Sequence, residues 1–154
     1  MDKLGYTAPQ VAELFHIPYA TLDSWARSGF FVPSMALAKG RGTRRLYSFY
    51  DLVTLKVVTH LRSQGVNNDL LKYLIGNMRV HQVEIENAAI DKFVISDGQS
   101  IFALKQDDHD IANLFRNGKP LWAIPIGQVV HNMREAAKAL EPIDIEEDGK
   151  VKVG

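Results

Sequence analysis

Cysteine is absent from the 154 residues, which excludes disulfide scaffolds, thiolate metal sites, iron–sulfur clusters and a cysteine nucleophile, and leaves the redox compartment open. Long apolar runs are missing as well. The greasiest stretch, Leu52 to Leu61, is interrupted by Lys56 and His60, well short of the ~20 apolar residues that span a bilayer. Met1-Asp2-Lys3-Leu4-Gly5 leads into polar sequence without the apolar core of a secretion signal. The expected location is therefore the cytoplasm, without membrane contact. No His-Glu-x-x-His, Gly-x-Ser-x-Gly or phosphate-loop glycine pattern occurs, so no catalytic residue, cofactor or metal is expected and the chemistry reads as binding rather than turnover. The densest ligand-like cluster, Asp107-Asp108-His109-Asp110, is what the dipole at a helix N-terminus favours without any cation.

What is present suits a soluble core: 46% of the residues are hydrophobic and 23% charged, which fits one or two small globular domains. The 18 Lys+Arg and 18 Asp+Glu cancel, but unevenly. Residues 1–80 hold 10 basic and 5 acidic side chains, whereas residues 81–154 hold 8 and 13, so the halves carry +5 and −5. Such an asymmetry points to a polyanion for the first half; mutual attraction of the two halves is the rival reading.

In the basic half, Thr7-Ala8-Pro9-Gln10 has a hydroxyl at an N-cap position, a glutamine three residues on and a proline in the first turn, which predicts a helix start. Val11, Leu14 and Phe15 give its apolar stripe, and it stops near His16-Ile17-Pro18. The next helix runs from Tyr19 to a stop at Gly29, with Leu22 and Trp25 on one face and Thr21, Ser24, Arg27 and Ser28 on the other. Two short helices about a tight turn, the second with small hydroxyls and one arginine, have the form of a helix-turn-helix. Taken in isolation they fit a plain helical hairpin with a solvated face better, and the following segment shifts the balance. Lys39-Gly40-Arg41-Gly42-Thr43-Arg44-Arg45-Leu46-Tyr47 carries four cations and no acid on a turn-rich stretch, the composition of a wing that grips phosphates. Ser48 and Asp51 repeat the capping logic before a helix bearing Leu52, Val53, Leu55, Val57, Val58 and Leu61. Asn67 and Asn68 precede another, with Leu70, Leu71, Leu74, Ile75 and Met78 on one face.

The order of these parts resembles the N-terminal domain of MerR-type transcription regulators. The steps that carry the resemblance are Tyr6-Thr7, Leu22 to Trp25 with Gly29, Arg45-Leu46-Tyr47-Ser48, and Asp51-Leu52. It covers about residues 5–79. The resemblance implies that Tyr19, Thr21, Ser24 and Arg27 face the major groove of double-stranded DNA and that Arg44, Arg45 and Tyr47 hold phosphates, joined on the wing by Lys39 and Arg41. Two departures stand out: Asp23 occupies the position where the family commonly has arginine, and no sustained heptad pattern follows Arg79 to make the family's dimerising coiled coil.

In the acidic half, residues 80–89 suit either a helical linker or a strand. Asp91 to Ser96 and Gln99 to Leu104 flank Asp97-Gly98, which predicts a β-hairpin. Asp107 or Asp108 is placed to cap a helix with Ile111, Leu114 and Phe115, Leu121 to Ile126 reads as a strand with Pro125 favouring an edge or strand end, and Val129 to Leu140 as an amphipathic helix. The alternating tail Ile143 to Val153 suits a terminal hairpin or disorder. The expected fold class is α+β: an all-α winged helix-turn-helix over 1–79, a small α+β module of about three strands and two helices over 80–142, and an acidic tail over 143–154. The expected function is sequence-specific binding of duplex DNA in transcription regulation, by a homodimer joined through residues 80–142. The rivals are an antitoxin-like adaptor whose C-terminal module captures a protein partner, and an effector sensor.

Overall fold

The computed structural model describes residues 3–36, 45–96, 101–105 and 122–145. Its elements are β1 (Lys3–Gly5), α1 (Ala8–Phe15), α2 (Tyr19–Ser28), β2 (Met35–Ala36), β3 (Arg45–Leu46), α3 (Phe49–Ser63), α4 (Asn68–Val80), α5 (Gln82–Glu86), β4 (Phe93–Ser96), β5 (Ile101–Lys105), β6 (Trp122–Ile124), α6 (Ile126–Ala137) and β7 (Ile143–Ile145). A helical helix-turn-helix region thus precedes a small α+β region. Contacts divide the chain into two units, residues 1–53 with 135–154 and residues 54–134, the boundaries falling inside α3 and α6. That division differs from the expected boundaries at residues 79 and 142: residues 135–154 group with residues 1–53, and α4 groups with β4, β5 and β6.

In the first unit, Thr7 caps α1 by accepting a hydrogen bond from Gln10 N at 3.3 Å, while the Gln10 side chain accepts one from Thr7 N at 2.9 Å. This reciprocal box satisfies two donors that a helix start leaves orphaned. His16 closes the helix in a left-handed conformation at φ 53°, and Gly29, at φ 82°, does the same for α2. The core beneath is Tyr6, Val11, Leu22, Phe31, Leu46, Tyr47, Tyr50, Leu52 and Val53, all nearly inaccessible to solvent. β2 pairs antiparallel with β3, Met35 opposite Leu46 and Ala36 opposite Arg45. The first arm of the hairpin expected within 143–154 pairs with β1: Lys3 faces Ile145, Leu4 faces Asp144 and Gly5 faces Ile143. Residues of the second arm lie outside the described ones. Gln10 reinforces this closure, its amide donating to Glu141 O at 2.7 Å.

In the second unit, the C-terminal part of α3 buries Leu55, Val57, Val58 and Leu61 and α4 buries Leu71, Leu74, Ile75 and Met78, the faces that periodicity assigns them. Asn67 caps α4 by accepting from Leu70 N at 2.9 Å. Residues 80–89, open between helix and strand, contain the five-residue α5 after a break at His81. A three-stranded antiparallel sheet of order β5-β4-β6 follows. Ser96 opposes Ile101, so the hairpin forms; the Asp97-Gly98 turn and the helix expected after Asp107 or Asp108 lie outside the described residues. β6 is an edge strand and Pro125 stands just beyond it, as an unpaired N–H position requires. Gly127 then lets α6 approach the preceding turn: its N–H donates to Lys92 O at 3.2 Å, and a Cβ there would stand 1.9 Å from Ala89 O.

Candidate nucleic-acid interface

Among the described residues of the first unit, a concavity of about 430 Å³ lies between the start of α1, the exposed side of α2 and β3. Thr7, Ala8 and Pro9 form one wall; Tyr19, Asp23, Ala26 and Arg27 of α2 and Arg45 of β3 form the rest, over a floor that includes Leu22, Pro33 and Tyr47. The floor is rigid because it belongs to the core: Leu22 is 1% exposed and Tyr47 is 2% exposed.

Helical geometry sorts the α2 candidates. At about 100° per residue, Tyr19, Asp23, Ala26 and Arg27 fall in one sector, whereas Thr21 and Ser24 fall roughly 60–120° beyond Arg27. The structure agrees, since Thr21 and Ser24 do not line the concavity that Tyr19 and Arg27 share. Tyr19 is 56% exposed and the Arg27 side chain 76% exposed. Arg27 is also paired: its Nη2 donates to Asp23 Oδ2, one helical turn earlier. An exposed i,i+4 pair of this kind contributes little to stability and exchanges readily for a stronger partner. The residue that departs from the family pattern thus acts on the arginine expected to contact DNA. The signal was in the sequence, an aspartate four residues before an arginine on one helix, and composition alone does not show it.

The wing candidates divide. Lys39, Arg41 and Arg44 lie outside the described residues. Arg45 is exposed at the edge of the concavity, its Nη1 donating to Ala26 O at 3.4 Å near the end of α2. Tyr47 is in the core where a phosphate contact was expected: it forms a two-way backbone bridge with Tyr6, both bonds 2.8 Å, and its ring stacks on Phe31 at 6.2 Å and 20°. Burial first, then the negative charge of Asp51, with smaller contributions of the same sign from Tyr19 and Asp23 against an opposing one from Arg45, pushes its hydroxyl up to about 12. The phenol is therefore neutral at physiological pH, and its place is beneath the surface.

One buried carboxylate ties the approach to β2 to the start of α3. Asp51 Oδ2, on a residue 3% exposed, accepts from Ser34 N at 2.8 Å, Ser34 Oγ at 2.7 Å and Ser48 N at 2.9 Å, while Ser48 Oγ accepts from Asp51 N at 3.0 Å. The last two bonds are the capping box expected at α3. The bonds to Ser34 add what the sequence pattern did not show: the residue just before β2 and the residue before α3 share one acceptor. Among the described residues no group of three His, Asp or Glu side chains is arranged to hold a metal ion, and no helix is long and apolar enough to cross a membrane.

Two helices about a tight turn, followed by a short antiparallel ladder from which Arg45 returns to the end of the second helix, define a helix-turn-helix. Residues 6–76 match the family described as MerR HTH family regulatory protein, consistent with a MerR-type helix-turn-helix in the N-terminal half of the chain. The chain is also similar to uncharacterized HTH-type transcriptional regulators of Mycobacterium bovis and of two strains of Mycobacterium tuberculosis, each 29% identical over 132 residues. That alignment takes in 86% of this chain and runs well past the family-matched segment, while the chain spans 57% of the length of those relatives.

Proposed function

We propose that this chain is a sequence-specific, double-stranded DNA-binding transcription regulator that acts by binding and carries out no chemical step. The observation that carries the reading is the concave surface on which an exposed face of α2 and Arg45 of β3 converge, within a domain matched to a helix-turn-helix family. In this reading α2 enters the major groove, which is about 12 Å wide and walled on both sides. The sector with Tyr19 and Arg27 and the neighbouring sector with Thr21 and Ser24 then lie on either side of the line that points at the groove floor, so all four residues remain within reach of base edges. Lys39, Arg41, Arg44 and Arg45 supply the cations for the phosphates, and each phosphate neutralised releases counterion. The relatives named as HTH-type transcriptional regulators support the same reading.

Two copies joined through residues 80–142 would read half-sites about one helical turn, ~34 Å, apart. Val80 and Val83, 79% and 74% exposed, start that segment with apolar surface. The test is fluorescence anisotropy of the full chain with a duplex enriched from a random pool, repeated across salt concentrations. Arg45→Ala is expected to weaken binding to every sequence and to lower the slope of log affinity against log salt by about 1, and Arg44→Ala likewise. Unchanged slopes in both variants would remove the wing from the interface, and a wild-type chain that enriches no duplex would overturn the reading altogether.

A further inference from the structure

We infer, on the reading just given, that Asp23 and Arg27 work as one unit that reads a guanine, Arg27 making the base contact and Asp23 acting as a positioning residue that keeps the guanidinium off the phosphates. Three observations converge. Both side chains line the concavity that also holds Tyr19 and Arg45. Arg27 Nη2 donates to Asp23 Oδ2. And among the described residues, Asp23 is the one acidic residue lining that concavity.

A carboxylate on a DNA-facing surface is unfavourable near the backbone, whose oxygens carry the same charge. It is tolerated toward the groove floor, where only neutral base edges lie. A lone exposed arginine has the opposite habit and pairs with whichever phosphate comes within reach. With Asp23 beside it, Arg27 is biased away from that choice, because the carboxylate repels a phosphate that approaches and draws the guanidinium to its own side of the helix. The clamp uses one of the guanidinium's five N–H donors, and whichever edge it takes, another edge keeps two parallel N–H groups. Two parallel donors match the O6 and N7 acceptors of guanine in the major groove, an arrangement no other base offers there. The rest of the local charge fits this division of labour. Arg45 sits on the wing side with its guanidinium near the end of α2 and serves the backbone, whereas Arg27 is tied back into the helix and serves the base.

The inference makes the loss of an acidic residue act in two opposite directions. In Asp23→Ala, non-specific duplex is expected to bind about threefold more tightly at low salt, because a repulsive charge is gone and Arg27 is free to find a phosphate. The salt slope for that duplex steepens by up to about 1. At the same time, discrimination between the best site and its variant with that one G·C pair replaced falls about tenfold, the order of what one bidentate contact supplies. Arg27→Ala loses the same discrimination without the gain in non-specific affinity. The pair is exposed and both variants are expected to fold; circular dichroism melts check this, and Asp23→Asn, which keeps the shape and removes the charge, gives a second reading of each quantity.

The experiment is selection of bound duplexes from a random pool by the wild-type chain, Asp23→Ala and Arg27→Ala, followed by anisotropy titrations in a salt series. The inference stands if both variants flatten the same guanine column and only Asp23→Ala tightens non-specific binding. It falls if Asp23→Ala selects the wild-type sequence, or if it flattens a different base pair that Arg27→Ala leaves intact, since Asp23 would then accept directly from a cytosine amino group. Enrichment of nothing by the wild-type chain overturns the DNA-binding reading and this inference with it, whereas normal enrichment unaffected by Asp23→Ala overturns this inference alone.

Discussion

At Gly127 a hydrogen stands where any other residue would place a carbon 1.9 Å from Ala89 O and 2.9 Å from Ile90 C. Both neighbours are backbone atoms, so no side chain can swing aside to make room. Gly127→Ala is therefore expected to force α6 off the Ala89–Lys92 turn, at a cost of about 3 kcal/mol, the upper end of ordinary overpacking. Thermal unfolding followed by circular dichroism is expected to show a fall of roughly 6–12 °C; an unchanged midpoint would mean that the turn yields freely. Tyr47 yields a prediction of a different kind. Its hydroxyl titrates near 10 in the unfolded chain and near 12 in the folded one, chiefly because it is buried. Below pH 10 both states hold the proton and stability is unaffected. Between pH 10 and pH 12 the unfolded state releases it first, so stability falls as pH rises. Tyr6, whose hydroxyl is also raised by burial, adds to the same decline. Denaturant unfolding of Tyr47→Phe across pH 9–12 is expected to decline less steeply than that of the wild type, and parallel declines would refute the assignment.

Elements carry most of what the sequence disclosed, and Asp51 shows where disclosure stopped. Its capping box with Ser48 is local and was readable from four consecutive residues, whereas its bonds to Ser34 reach across the 17 positions that separate the two residues. Because one carboxylate serves the start of α3 and the approach to β2, Asp51→Ala is expected to cost about 2 kcal/mol, leaving Ser34 N and Ser48 N without their acceptor. Affinity for duplex is expected to fall as well, as the wing root loosens. Equilibrium denaturation and anisotropy on the same preparation check the two effects, and a loss of stability with unchanged affinity would detach the wing from this clamp. Helices α1, α3 and α4 were legible because caps and 3.6-residue periodicity are local signals. The β4–β5 hairpin was legible for the same reason. β1 was not: Lys3–Gly5 is three residues long and owes its strand conformation to a partner at Ile143–Ile145. Among the candidate DNA contacts, Arg27 and Arg45 were legible as cations, one on a helix and one in a turn-rich basic stretch. The burial of Tyr47 was not, because a tyrosine closing a basic loop reads as exposed until Tyr6 and Phe31 are known to enclose it.

For the molecule as a whole, the +5 and −5 halves do not coincide with the two units, since residues 135–154 of the acidic half join residues 1–53 of the basic one. The unit that holds α2 and Arg45 thus also contains acidic tail sequence. A chain ending at Pro142 loses β7, and with it the ladder on Lys3–Gly5. Its melting midpoint is expected to drop by several degrees, roughly the effect of 1–2 kcal/mol in a chain of this size, and the amides of β1 are expected to exchange with solvent faster. A midpoint and exchange rates equal to those of the full chain would show that the pairing contributes nothing.

Register between β1 and β7 sets Lys3 directly across from Ile145. A peptide linker of a few residues joining those positions would close the backbone into a ring without moving either strand, and the chain could then be reopened at a site of choice. A donor and acceptor dye on the same two positions would start at close range, so that loss of energy transfer would time the parting of the ladder during unfolding.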